Sequence, residues 1–471
     1  RMSGNGIENF DLSFLKLENK ETNLLYSPLS IKYALAMLST GANGNSKAQI
    51  DAIIGDYSSK KYINSNNMSF ANAMFIKDSF KDNVKKDYTD KLSSRYDASV
   101  IYDSFKTPDK INSFVSEKTF GLINKLFDRD ISSNNFFLVN ALAIDMEWNK
   151  WLQATSQSDY KDFYNVSYNH EKYNDYIDPI MGERYQTLKF NNNSINAKAV
   201  QIGASINNYD IIKELGEENI RKTIKSEYQS FIDEDSCGIR TNPDANKDDL
   251  DVDKFTDKFI SELKENYKRV DSSTDFMLYT DDKVKAFAKD LKTYNGTTLQ
   301  YVGIMPKTDD LASYVKNLDS SDISGIIKNL KEIKAENFTE GKVTKITGYI
   351  PLFKFDYQLQ LKKDLKELGV LDVFDEKKAD LSNMITGTSN YIDSADHKAN
   401  IEFSNEGIKA AAVTVEGGFG STGCGFEHLY DVPVEEINIT FDKPYLFLIR
   451  DKDTGEVWFV GTVYEPITNV E

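Results

Sequence analysis

The chain has 471 residues, with 57 Lys and Arg against 74 Asp and Glu, a formal net charge of −17. So acidic a balance excludes nucleic-acid binding as the default, since phosphate contacts need a basic face. Hydrophobic residues at 40%, with 28 Phe and 26 Tyr, supply a large core and exclude a disordered chain. Length alone predicts roughly three domains of about 150 residues each. No run of about 18 apolar residues is present, so no membrane span is expected. The opening Arg1-Met2-Ser3-Gly4 lacks the apolar core of an export signal, so the chain is read as either cytoplasmic or relieved of such a segment. Two cysteines, Cys237 and Cys424, cannot form a disulfide framework, although one bridge between them is possible. Three histidines, His170, His397 and His428, limit metal and general-base chemistry.

In chain order, residues 7 to 54 read as two helices. In the second, Ser27 is the N-cap, Pro28 takes the first helical position, Ile31, Leu35 and Leu38 follow at helical spacing, and Gly41 ends it. Residues 70 to 76 are a short apolar run, and 109 to 127 read as a helix carrying Ile111, Phe114, Val115, Ile123 and Leu126. Phe136 to Ile144, broken only by Asn140, reads as a strand buried on both faces. The Asn needs hydrogen-bond partners there.

Residues 165 to 275 differ in texture. Ile212, Leu215, Ile220, Ile224, Tyr228 and Phe231 predict one amphipathic helix, and Phe255, Phe259, Leu263 and Tyr267 a second. Between them, residues 233 to 253 hold eight acids and two bases. Asp244, Asn246 and Asp248 match the first half of a calcium loop, but Asp249 replaces the turn Gly and Phe255 the bidentate Glu. A solvated acidic loop is favoured over a metal site. From 283 onward the text is strand-rich, with strands at 299–306 and 345–351 and a helix over 358–368 ending at Gly369.

The most specific text is near the end. His397 to Thr414 joins a short strand to Glu406-Gly407-Ile408, then to Ala410, Ala411, Ala412 and Thr414, and five glycines follow within residues 415–426. Such a stretch reads as an exposed, mobile loop. Its first half nevertheless suits a segment that at times becomes a buried strand. Ile408, Ala410, Ala412 and Thr414 would share one face of that strand, and Lys409 would fall on the other.

Seven stretches stand in a recognisable order: Asn23 to Ile31 (NLLYSPLSI), Ala71 to Phe75, Leu138 to Leu142 with Trp148, Ile350 to Phe355 with Leu365 to Phe374, His397 to Thr414, Phe441 to Ile449 (FDKPYLFLI), and Gly461 to Pro466. On them the chain resembles the serpin family of protease inhibitors over 7–157 and 283–466, leaving 165–275 as an insertion. The resemblance implies a single α+β domain over 1–471, with three β-sheets, about eight to nine helices and a reactive-centre loop over 405–433. It implies that a target endopeptidase, a serine or alternatively a cysteine protease, cuts the loop and is trapped when the loop inserts into the central sheet. Glu406, Gly407, Ile408, Ala410, Ala411, Ala412 and Thr414 match the hinge of that loop. Ser27, Ser30, Asn140 and His397 match a polar cluster beneath the point where the central strands part, and Trp148 the aromatic at the top of the opening. The family register places the scissile bond at Ser421-Thr422, with Phe419, Cys424 and Phe426 as alternatives because the loop is long. A small residue before the bond suits elastase-like or subtilisin-like proteases. Asn405, Ile408 and Glu416 depart from the family pattern. The resemblance further implies no cofactor, a monomer prone to loop–sheet polymerisation, and an extracellular or cell-surface setting, and the Asn-, Lys- and Tyr-rich composition fits a bacterial source.

Two other readings compete. Cys424 and His428 are four residues apart, but a glycine-rich loop cannot hold a nucleophile and base in fixed geometry, so an unpaired loop thiol is the simpler reading of Cys424. A non-inhibitory serpin, acting as substrate, carrier or structural protein, is favoured by Ile408 and Glu416 and opposed by the small-residue hinge.

Overall fold

The computed structural model describes residues 6–152, 175–177, 185–388, 390–408 and 425–468. Three helices, not two, occupy the N-terminal stretch: Asn9–Glu18, Pro28–Gly41 and Gly44–Ile54. A break of only two residues, Ala42 and Asn43, separates the last pair. Pro28–Gly41 has the expected bounds because Ser27 Oγ accepts from Ser30 N at 3.0 Å, satisfying a donor of the first turn. The helix expected over 109–127 stops at Lys118, where Phe120 (φ 55°) and Gly121 (φ 75°) turn left-handed and Gly121 N returns to Ser116 O at 2.7 Å. The apolar residues beyond it, Ile123 and Leu126, are carried by turns that pack on the same cluster.

Strands make up the body. A seven-stranded sheet runs in the order Leu24–Tyr26, Val457–Val463, Tyr445–Asp451, Thr297–Pro306, Val284–Tyr294, Met277–Thr280 and Lys331–Glu332. Alternate residues serve two cores, as the period of a strand requires. Val302 and Ile304 face the helices, whereas Leu299 and Tyr301 join Trp148, Phe353 and Phe403 in a second core. A six-stranded sheet is built on Ile195–Asn207 and Val343–Pro351, with Val434–Asn438 parallel to the latter on one edge. The paired helices Glu217–Asp233 and Val252–Asn266 pack beside Val343 through Ile220, Ile224, Phe259, Ile260 and Leu263.

The remaining layer is divided. One half is Ser99–Asp103, Met68–Lys77 and Phe136–Ile144; the other is Phe353–Leu359 and His397–Phe403. Among the described residues no backbone hydrogen bond joins Phe136–Ile144 to His397–Phe403. Among the described residues the only ladder between the halves is where Gly407–Ile408 lies between Met146–Glu147 and Phe403. The expected central sheet is thus present as two hydrogen-bonded parts with a slot between them.

Candidate functional site

The slot is a cavity of about 340 Å³, walled by Phe136 to Ile144 on one side and by 395–402 on the other, with Ser27, Ser30 and Ile31 at its floor and Ile408 at its mouth. Among the described residues, the facing edges of these two strands have no ladder partner. An unpaired edge is a template for another strand.

At the mouth, the chain leaves His397–Phe403, turns through Ser404 to Glu406 and returns as Gly407–Ile408. Ser404 N donates to Gly407 O at 2.9 Å, and Ser404 Oγ accepts from Gly407 N at 3.2 Å. Trp148 is fully buried and clamps this turn: its Nε1 donates to Ser404 O and its backbone N to Glu406 O, both at 2.8 Å. Leu152 N reaches Asn405 O at 2.8 Å, so Asn405 serves through its backbone here. Ile408 is 3% exposed and packs in the second core, which gives the hydrophobic departure at this position a local reason. Gly407 is dictated by a close approach, because a Cβ there would stand 2.1 Å from Met146 O. Gly407→Ala is accordingly expected to expel the hinge from the mouth and expose the bonds around it. Limited proteolysis should then cut the variant near 405–409 faster than the parent, and equal rates would refute the account.

Sequence reasoning passed over Lys289, which the structure sets against Trp148. Its ammonium is buried, lies 5.8 Å from the indole centroid, and donates to Thr274 Oγ1 at 2.6 Å and Asp275 Oδ1 at 2.9 Å. Burial pulls its pKa below the ordinary lysine value, and Asp275 partly offsets the loss. The signal was a lysine inside the apolar strand Val284–Tyr294.

Beneath the mouth, one hydrogen-bonded chain crosses the slot. Ser27 N donates to His397 Nε2 at 3.0 Å, Ser27 Oγ accepts from Ser30 N, Ser30 Oγ donates to Asn140 Oδ1, and Asn140 Nδ2 donates to Asn72 Oδ1 at 2.6 Å. Asn72 Nδ2 ends it on Tyr96 O at 2.9 Å. All four residues expected in the polar cluster are therefore connected, and the first turn of Pro28–Gly41 is the bridge between the halves. Asn72 completes the cluster. It lies directly across the ladder from Asn140, inside an apolar strand, and the reasoning applied to Asn140 would have found it.

Because His397 Nε2 accepts a hydrogen bond, the ring is neutral, with its proton on Nδ1. Burial lowers its pKa from 6.5 to about 4. The sign follows: the unfolded chain takes up a proton near pH 6.5 and the folded one does not until about pH 4. This group's contribution is fully present above pH 6.5 and is lost as pH falls towards 4, by about 3 kcal/mol for a shift of this size. Urea unfolding from pH 7 to 4.5 should show this acid-side loss, and His397→Gln should flatten it. A parallel slope in both proteins would exclude His397 as its source.

The downstream end of the loop is also placed. Phe426, weighed as a recognised residue, has its ring against Tyr228, Phe231, Phe255 and Phe259, with centroids 5.3 to 6.4 Å away. His428 Nδ1 contacts Glu227 Oε2 at 2.6 Å. Ala410, Ala411, Ala412, Thr414, Phe419, Ser421, Thr422 and Cys424 lie outside the described residues. Cys237 is disulfide-bonded, whereas the reading of Cys424 as an unpaired loop thiol falls on a residue outside the described ones. In the acidic segment, Asn246 Oδ1 accepts from Asp248 N at 3.0 Å and Asp248 faces Lys254 at 3.5 Å. Among the described residues no His, Cys, Asp and Glu cluster suited to a metal is found, nor is any helix long and apolar enough to cross a membrane.

A layer parted around a strand-wide slot, with the chain turning back at its mouth, defines an α+β fold with a divided sheet. The family model described as Serpin (serine protease inhibitor) matches residues 8–205 and 254–466, and the chain belongs to that family. The unmatched residues, 206–253, carry the first of the paired helices and the acidic loop. Human leukocyte elastase inhibitor is 32% identical over 226 residues, 45% of this chain and 55% of that protein, so the match spans about half its length. The leukocyte elastase inhibitor of Xenopus tropicalis is 25% identical over 97% of both chains. Among solved structures, the thermophilic serpin tengpin in its native state is similar at a TM-score of 0.61 and 20% identity, covering 97% of this chain and 92% of that one. Thyroxine-binding globulin with thyroxine also gives 0.61, at 15% identity and 98% of each chain.

Proposed function

We propose that the protein is a suicide-substrate inhibitor of endopeptidases, working by insertion of its cut loop into the slot. The observation that carries this reading is the seating of Gly407–Ile408 between two strands that are otherwise unpaired with each other. Extending that register sets Ala410 between Ile144 and Ile401, Ala412 between Leu142 and Ala399, and Thr414 between Asn140 and His397. The entering face is small where the buried Ile144, Ile401 and Ala399 wall the slot, and Thr414 brings a hydroxyl to the polar chain. Backbone hydrogen bonds of roughly 0.5–1.5 kcal/mol each are offset by roughly 1–2 kcal/mol of ordering per residue, so insertion draws its drive from apolar burial and from pairing the two idle edges. Glu416 would stand opposite Leu138, an unfavourable place for a carboxylate, which limits the depth reached unless the charge stays wet.

In the proposed reaction the protease serine attacks the Ser421 carbonyl, the Thr422 amine leaves with a proton, and the acyl-enzyme is carried off as the upstream strand inserts. A small residue before the bond points to an elastase- or subtilisin-like target. The disulfide at Cys237 supports an oxidising, extracytosolic setting. Mixing the protein with trypsin-, chymotrypsin-, elastase-, subtilisin- and papain-type proteases should give a denaturant-resistant covalent complex with at least one, and the mass of the released C-terminal peptide should place the bond. Clipping by every protease without a complex would overturn inhibition and leave the substrate or carrier reading.

A further inference from the structure

We infer that the paired helices Glu217–Asp233 and Val252–Asn266 are a clamp on the downstream stem of the reactive loop, making strand insertion conditional on cleavage. The inference rests on the insertion reading above. Its footing is residues 425–432 as placed. Phe426 enters a nest of four aromatic rings, two of which, Tyr228 and Phe255, are stacked at 3.6 Å, one from each helix. Tyr430 and Val432 pack on the same apolar cluster, and His428 pairs with Glu227 at 2.6 Å.

Chain length gives the clamp its consequence. Ile408 is fixed at the mouth and Phe426 at the nest, 18 residues apart in sequence. Fully extended, that stretch spans at most about 60 Å. An uncut loop that enters the slot must also come back to the nest, so no more than about half of it, roughly nine residues, can go down at about 3.3 Å each. Passing that depth intact requires Phe426, Tyr430 and finally the edge strand Val434–Asn438 to be stripped from their seats. A cut at Ser421-Thr422 removes the need to return, and the upstream strand goes in while the stem stays docked. The clamp thus raises the barrier to premature insertion of the intact loop and leaves the productive route untouched.

The test uses the whole protein and Phe426→Ala, with Glu227→Gln as a milder second variant and Leu429→Ala, on the same stem but 51% exposed, as control. Each is held uncut under a thiol reductant, so that the disulfide at Cys237 holds nothing, a few degrees below its melting midpoint, and conversion to a urea-resistant monomer with an intact chain is followed on transverse urea gels. Phe426→Ala is expected to convert at least about tenfold faster, equivalent to about 1.4 kcal/mol on the barrier, Glu227→Gln severalfold faster, and Leu429→Ala at the parent rate. After deliberate cleavage of the loop, all four should show the same rise in melting temperature. Unchanged conversion of Phe426→Ala together with a normal rise on cleavage would overturn the clamp alone. Absence of that rise in every protein would overturn loop insertion, and the clamp with it.

Discussion

On the proposed mechanism, replacing Ala412 with glutamate is expected to turn an inhibitor into a substrate. In the extended register this residue enters between Leu142 and Ala399, and Ala399 is 5% exposed and on the core-facing side of its strand. An unpaired carboxylate at such a place costs several kcal/mol. Trapping is a race between strand entry and hydrolysis of the acyl-enzyme, and each 1.4 kcal/mol added to the entry barrier shifts that race about tenfold. The variant should therefore be cut at the parent rate, release active protease, and need more than about ten molecules per protease inactivated. Its cleaved form should lack most of the gain in melting temperature. Ala411→Glu supplies the parity control, since residue 411 faces the other way with Lys409 and should keep most of the inhibition. Full covalent complex formation by Ala412→Glu would refute the register.

The second large effect is expected at Asn140. Its amide accepts from Ser30 and donates to Asn72, so it is the link between the strand half and the bridging helix turn. Asn140→Ala leaves the Ser30 hydroxyl and the Asn72 carbonyl oxygen without these partners, at roughly 1–3 kcal/mol for each buried group that finds no water. The halves should part more easily, and a slot that parts without its own loop can take the loop of another molecule. Size-exclusion chromatography after gentle heating should show oligomers or a heat-resistant monomer for Asn140→Ala, and for Asn72→Ala and His397→Ala in the same direction. Unchanged monomer after heating would remove the polar chain from the account of opening.

Local signals were legible where one residue decides the outcome. Ser27 and Pro28 set the start of the helix, and Asn140 announced a hydrogen-bonded network. What stayed hidden depends on contacts distant in sequence. The need for Gly407 comes from Met146 O, more than 250 residues earlier in the chain. The partner of Asn140 comes from a ladder register that periodicity does not fix. The early stop at Lys118 turns on two left-handed residues, one of them Phe120, which no propensity favours there.

The parted layer also has a signature in solvent exchange. Interior strands are ordinarily the slowest amides in a protein to trade hydrogen for deuterium. Among the described residues the slot-facing amides of Phe136–Ile144 and His397–Phe403 have no ladder partner, so every second amide of two central strands should exchange like a frayed margin while its neighbours stay protected. Arrival of a strand would silence exactly those positions, giving a residue-by-residue measure of how far it has travelled.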